Sequence, residues 1–253
     1  MTTSFQSRDQ AQPQPAAGMP SEPHILDNAV WAALTGPHQH LAETFGSAAR
    51  YPADVSPFAA ISDASDPLAW NDLATLVGPG NSFALKGVSE LPAGWDAGRS
   101  MPGVQMVATT LRPELEPEAV RLGAADVPEM LDLAGRTKPG PFEPRTIELG
   151  AYWGIRRGGR LIAMGGERMH PPGWTEISAV CTDEACRGQG LATRLIRHLA
   201  VGIGDRGDTP FLHTVATNTG AIRLYESIGF TLRRPLLIHF LQVPPQDELN
   251  AAR

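Results

Sequence analysis

The stretch Val180-Cys181-Thr182-Asp183-Glu184-Ala185-Cys186-Arg187-Gly188-Gln189-Gly190-Leu191-Ala192 decides how this chain is read. It opens on the end of a strand-like run that starts near Trp174 and closes on the start of a helix-like one. From about Gly190 to Ile203, the residues Leu191, Leu195, Ile196, Leu199, Ala200 and Ile203 share one helix face. A strand that runs through glycines into an amphipathic helix leaves backbone N–H groups unpaired at the positive end of a helix dipole. Gly188 and Gly190 let the backbone come close to an anion. The expected ligand is therefore a phosphate.

Two common phosphate loops do not fit. A dinucleotide fingerprint needs a third glycine where Thr193 stands, and a P-loop needs a Gly-Lys pair that this stretch lacks. A second pattern lies downstream, at Asn218-x-x-Ala221-x-x-Leu224-Tyr225-x-x-x-Gly229-Phe230. Around the two patterns the chain reads as strand, helix, three strands, helix, strand, helix, two strands. The pieces are Ala119 to Leu122, a helix capped by Asp126, then Leu149 to Ile155, Arg160 to Glu167 and Trp174 to Cys181. The glycine-loop helix, Phe211 to Ala216, Thr219 to Ile228, Phe230 to Leu232 and Leu236 to Val243 follow.

The spacing Arg187-x-x-Gly190-x-Ala192, with the Asn218-to-Phe230 pattern on the next strand-to-helix junction, resembles the GNAT superfamily of acyl-CoA-dependent N-acyltransferases. The resemblance covers roughly residues 119–243. It implies an α/β (α+β) fold, with a mixed, mostly antiparallel sheet flanked by helices, and acetyl-CoA as co-substrate. It also implies that the pyrophosphate sits on the amides of Gly188, Gln189, Gly190, Leu191, Ala192 and Thr193, beside Arg187. Val180, Cys181 and Thr182 would pair with the pantetheine amides as a strand does, with Asn218 and Ala221 beside the pantetheine arm. Tyr225 would protonate the departing thiolate.

An amine attacks a thioester only when neutral, so a base is needed. Members of the family with a glutamate base carry it at the spacing of Glu176, and others place an acid where His213 stands. His213 has an imidazole suited to neutral pH, whereas Glu176 needs an apolar setting that raises its pKa. Glu167 and His170 are further candidates. Each also has a plain structural alternative: a solvated strand carboxylate for Glu176, a hydrogen-bonded core histidine for His213, a core tyrosine for Tyr225. The expected reaction is direct transfer to a primary amine in a ternary complex, since no activated Cys or Ser nucleophile is evident. The acceptor is a small amine or amino acid, with a peptide amine also open. The rival reading is a non-catalytic acyl-CoA-binding or interaction module.

Working outward, the 253 residues allow one large domain or two ordinary ones, and 42% hydrophobic content is enough for a core. Residues 24–110 read as a second α/β lobe, a decayed copy of the same fold that shapes the acceptor pocket, with 111–117 as linker and 118–245 as the acyltransferase domain. Within the front half, Asp66 to Val77 reads as a helix with Asp66 as N-cap and Pro67 in its first turn, stopped by Gly78-Pro79-Gly80. Ser82 to Leu85 and Val104 to Ala108 read as strands. Residues 1–23, rich in Gln, Pro, Ser and Ala, and 246–253 read as disordered tails, the first without the hydrophobic segment of a secretory signal.

A net charge of −6 with no basic stripe argues against nucleic acid, and no apolar run reaches the roughly 20 residues of a membrane span. Two cysteines make no disulfide framework and no zinc quartet, pointing to a reducing, cytoplasmic setting. His38 and His40 are spaced like metal ligands but lack matching partners, so no metal is expected. Only two of the 21 basic residues are lysines, Lys86 and Lys138, which reads as codon bias.

Overall fold

The computed structural model describes residues 24–95 and 97–245; the two expected tails lie outside them. A 3-10 turn at Ile25–Asn28 leads into helix α1 (Ala29–Leu34). Strands β1 (Glu43–Phe45), β2 (Ala48–Arg50) and β3 (Ala59–Ile61) form a small antiparallel sheet. Helix α2 (Pro67–Val77) follows, with the Asp66 carboxylate accepting from Leu68 N at 2.9 Å and Pro67 in the first turn. Gly78, at φ 85°, ends it in a conformation that side chains rarely adopt. Then come β4 (Ser82–Lys86), β5 (Ala97–Ala108), β6 (Ala119–Arg121), α3 (Val127–Thr137), β7 (Tyr152–Arg157), β8 (Arg160–Glu167) and β9 (Trp174–Thr182). The chain closes with α4 (Leu191–Asp205), β10 (Thr209–Val215), α5 (Thr219–Ile228) and β11 (Phe230–Gln242).

Eight strands form one mixed sheet in the order β4-β11-β5-β10-β9-β8-β7-β6. All neighbours are antiparallel except β10 and β9. Strand β5 comes from before residue 110, yet it lies between β10 and β11, pairing with β11 from Ala97 to Ala108 and with β10 from Gly103 to Val107. The division drawn at 110/111 therefore does not divide the sheet. Nor does the 111–117 segment hang free. Glu114 N donates to Arg197 O on α4, and the Glu116 carboxylate takes two bonds from Arg194, at 2.6 and 2.7 Å.

Two expectations need adjusting. The last two strands are one, because a bulge between Leu232 and Arg234 absorbs the interruption that Arg233-Arg234-Pro235 makes in the apolar pattern. Asp126 leads α3 but does not cap it. Its carboxylate instead accepts from Gly123 N at 2.8 Å and from Arg156 at 2.6 Å.

Helix α4 buries Leu195, Ile196, Leu199 and Ile203 as its periodicity requires, against apolar residues of β7 to β10. Across the barrier between halves, α1, Tyr51, Val55 and Phe58 pack in one apolar cluster with Leu149, Met169 and Phe211. Gly166 is needed for close approach: a Cβ there would fall 2.2 Å from the buried Tyr152 ring. Among the described residues, no helix is long and apolar enough to cross a membrane, and no group of three His, Cys, Asp or Glu is placed to hold a metal ion.

Candidate active site

Strands β9 and β10 run parallel but pair only from Trp174–Thr209 to Glu176–Phe211. Beyond that point both continue, β9 to Thr182 and β10 to Val215, without pairing. The splay leaves their facing backbone groups without strand partners, which is where an extended polar ligand can pair. A bulge on β9 helps to open it. Between Met164–Cys181 and Gly166–Ser178 the register against β8 gains one residue, and Ala179 sits at φ 53°. A cavity of about 820 Å³ fills the opening.

The cavity wall collects most of the residues singled out from sequence. Val180, Cys181, Thr182, Arg187, Ala192, His213, Asn218, Ala221 and Tyr225 all line it. Gly188, Gln189 and Gly190 are exposed at the start of α4, and both glycines have positive φ, 78° and 72°. A side chain would be strained at either. Gly190 is the N-cap of α4 and offers no side-chain cap, so the first-turn amides of Leu191, Ala192 and Thr193 are left for an external acceptor. Leu191 turns its side chain into the core, 2% exposed. Asn218 caps α5, its Oδ1 accepting from Ala221 N at 3.2 Å. Cys181 is buried and its thiol is pushed up to about 11, so it is no thiolate nucleophile. Burial likewise raises the Tyr225 hydroxyl, which keeps its proton at neutral pH.

Beneath the splay lies a buried charged cluster. Glu176 is fully buried and does not line the cavity. Arg168 holds it in a two-pronged pair, Nε to Oε2 at 2.8 Å and Nη2 to Oε1 at 2.6 Å. His213 Nδ1 lies 2.7 Å from Glu176 Oε1, and His213 Nε2 lies 3.0 Å from Gln105 Nε2. Gln105 takes a bond from Arg233 on its oxygen, so its nitrogen faces the histidine as a donor. That fixes the tautomer: Nε2 accepts, and Nδ1–H donates to Glu176. Lys86, from the end of β4, brings its Nζ 3.7 Å from Glu176 Oε1 and 4.1 Å from the centre of the Phe58 ring.

This setting reverses what a glutamate base requires. Burial alone would raise the Glu176 pKa, but Arg168 and then Lys86 outweigh it and hold the carboxyl well below its usual range. His213 is pushed down to about 4 by burial and by Lys86, against the opposing pull of Glu176, so it is neutral with both nitrogens engaged. Glu167 is bonded to Arg206 at 2.8 Å and sits 3.4 Å from His170, whose pKa burial lowers. Neither Glu167 nor His170 lines the cavity. His38 is committed to Tyr51, Nδ1 to the hydroxyl at 2.9 Å. Tyr152 is core, while Trp153 stacks edge-on against His198.

Comparison with known proteins settles the lineage. A crystal structure of a GNAT-family protein from Novosphingobium aromaticivorans is 41% identical, covers 87% of this chain and 99% of that one, and superposes with a TM-score of 0.80. The chain belongs to the GNAT family. The FR47-like family model matches residues 152–237 of this GNAT chain. Mycothiol acetyltransferase of Thermomonospora curvata is 32% identical over 127 residues, 48% of this chain and 41% of that protein. N-alpha-acetyltransferase RimI of Mycobacterium tuberculosis is 35% identical over 82 residues, 31% of this chain and 51% of that protein. The chain spans about half the length of the curated relatives it matches.

Within this GNAT fold, sequence reading missed Lys86, Arg168, Phe58 and Gln105. Three of them precede residue 110, where no chemical motif was visible. Lys86 did carry a signal. It is one of two lysines, at the end of the strand Ser82-Phe83-Ala84-Leu85-Lys86, where its neighbours Ala84 and Leu85 are buried. Codon bias explains the scarcity of lysine but not the burial of this one.

Proposed function

We propose that the protein is an acetyl-CoA-dependent N-acetyltransferase that acetylates a primary amine by direct transfer. The observation that carries this reading is the bulged, splayed end of β9, which runs into a cap-free helix start on one side of the cavity while Tyr225 lines the same cavity. The pyrophosphate is held by the amides of Gly188 to Thr193 with Arg187, and the pantetheine lies along Val180 to Thr182 beside Asn218 and Ala221. The neutral amine attacks the thioester carbon, the C–N bond forms and the C–S bond breaks. Tyr225 gives its proton to the departing sulfur and regains one from the amide nitrogen. Glu176 acts here as a fixed negative charge that orients His213 and Arg168, and His213 acts as its hydrogen-bond partner. The acceptor is an amine whose head reaches the floor of the cavity. Small amines, amino acids and peptide N-termini are all to be tried, given one relative named for mycothiol and another for N-alpha acetylation.

The test is a panel of these amines with acetyl-CoA, followed by release of free thiol, alongside calorimetric binding of acetyl-CoA. Turnover of a panel member with micromolar-range binding supports the reading. Binding without any turnover supports a non-catalytic acyl-CoA module instead.

A further inference from the structure

Glu176 and His213, the first two proton acceptors expected from sequence, are already spent, and the other two, Glu167 and His170, do not line the cavity. Both Glu176 oxygens are bonded to Arg168, and one also to His213. Both His213 nitrogens are engaged. Arg168, also on the cavity wall, does not lose its proton in proteins. On the cavity wall, one buried nitrogen among the described residues is left over. Among the described residues Lys86 Nζ is buried without a hydrogen-bond partner, its side chain is 6% exposed, and it lines the same cavity as Tyr225. Evolution of a buried amine with nothing to bond is costly unless something enters to bond it.

We propose that Lys86, supplied by the front half of the chain, is the base that takes the proton from the acceptor amine. This rests on the acetyltransferase reading. The acceptor arrives as an ammonium ion and gives one proton to Lys86 Nζ. The freed amine lone pair attacks the thioester carbon, C–N forms and C–S breaks. The second nitrogen proton goes to sulfur by way of Tyr225, and Lys86 later releases its own to solvent. One ammonium ion, one thioester and no further reagent give one amide, one thiol and one proton.

The surroundings suit the role. Burial, and then the Arg168 guanidinium, push Lys86 down to about 7, against the pull of Glu176. Glu176 on β9, Arg168 after β8 and His213 on β10 face it in the cluster, with Tyr51 behind Arg168 and Glu176. Asp27 and Arg234 share with it a small second pocket. A base poised near the working pH contributes most when the same group can both take and return a proton.

The chain's two lysines make a direct measurement simple. Protein labelled with carbon-13 at the lysine ε position gives two signals, and Lys86→Arg removes the one to follow. In the wild type that signal is expected to titrate with a midpoint of about 7. An ordinary lysine midpoint of about 10.4 overturns the proposal. In kinetics, Lys86→Arg keeps a positive charge but cannot act as a base, so kcat/KM for the amine is expected to fall by about 100-fold or more. Lys86→Met is expected to fall equally, with acetyl-CoA affinity retained in both. Full activity of Lys86→Arg overturns the assignment and leaves the acetyltransferase reading standing. Failure of the wild type to acetylate any amine overturns that reading and this proposal together. If neither variant folds, the wild-type titration decides alone.

Discussion

Replacing Arg168 by Met keeps most of the side chain's apolar bulk and removes the guanidinium that pairs with Glu176. The carboxylate is fully buried, and two of its bonds, at 2.6 and 2.8 Å, come from this one residue. Lys86 Nζ, at 3.7 Å, is too far to replace them. Removing one partner of such a pair costs about 3–5 kcal/mol, because a charge is left uncompensated in the interior. For a chain of this size that corresponds to a fall in Tm on the order of 10 °C. The cost carries a pH signature. The folded pKa of Glu176 lies below its ordinary value, so its ionisation stabilises the fold above the unfolded pKa of roughly 4.3. That stabilisation disappears as pH falls through the folded value. In Arg168→Met the carboxyl loses the guanidinium that held it ionised, so protonation relieves the variant sooner. The stability difference between wild type and variant, measured by urea unfolding from pH 7 to pH 4, is therefore expected to shrink as pH falls. A loss below about 1 kcal/mol at pH 7, or a difference independent of pH, would refute the picture of a dry, mutually dependent cluster.

Three further outcomes are expected. Gly190→Glu sets a negative charge where the pyrophosphate is proposed to sit, and strains a φ of 72°, so acetyl-CoA binding by calorimetry should vanish; Gly190→Ala, carrying the strain alone, should keep measurable binding. Tyr225→Phe should lower kcat by about 10-fold or more with little change in acetyl-CoA affinity, and unchanged turnover would remove Tyr225 from the acid role. Gly166→Ala, whose Cβ would meet the Tyr152 ring at 2.2 Å, should destabilise the fold by about 1–3 kcal/mol in thermal unfolding.

The half of the fold that sequence made readable is the half whose signals are local. The α4 stripe, the Gly188 and Gly190 turn and the Asn218 cap are each decided within a few residues of chain. Strand β5 was only partly readable, as Val104 to Ala108, because what completes it is pairing with strands more than 100 residues later; Gln105 meets His213 across a separation of 108. The candidate site divides the same way. The positions lining the cavity from β9, α4 and α5 follow from the motif. The sign of the Glu176 shift does not, since it is set by Arg168, eight residues earlier on the chain, and by Lys86 from the front half. Neither partner stands out beside Glu176 when the chain is read as a line. Ala179 is illegible for another reason: alanine gives no hint of positive φ, and only the bulge against β8 imposes it.

The position of β5 between β10 and β11 has a consequence for how this chain can be rearranged or inherited. A gene fragment encoding only residues 118–245 would leave β10 and β11 with bare edges facing each other across a missing ribbon. Such a fragment would be an aggregation hazard rather than a smaller version of the fold. Two fragments cut within 111–117 would each carry what the other lacks, and would regain a closed sheet only by finding one another. The front half therefore cannot be exchanged between relatives as an independent module. A recombination event that replaces it must also bring a strand that fits the gap, together with any residue that strand's neighbours lend to the cavity.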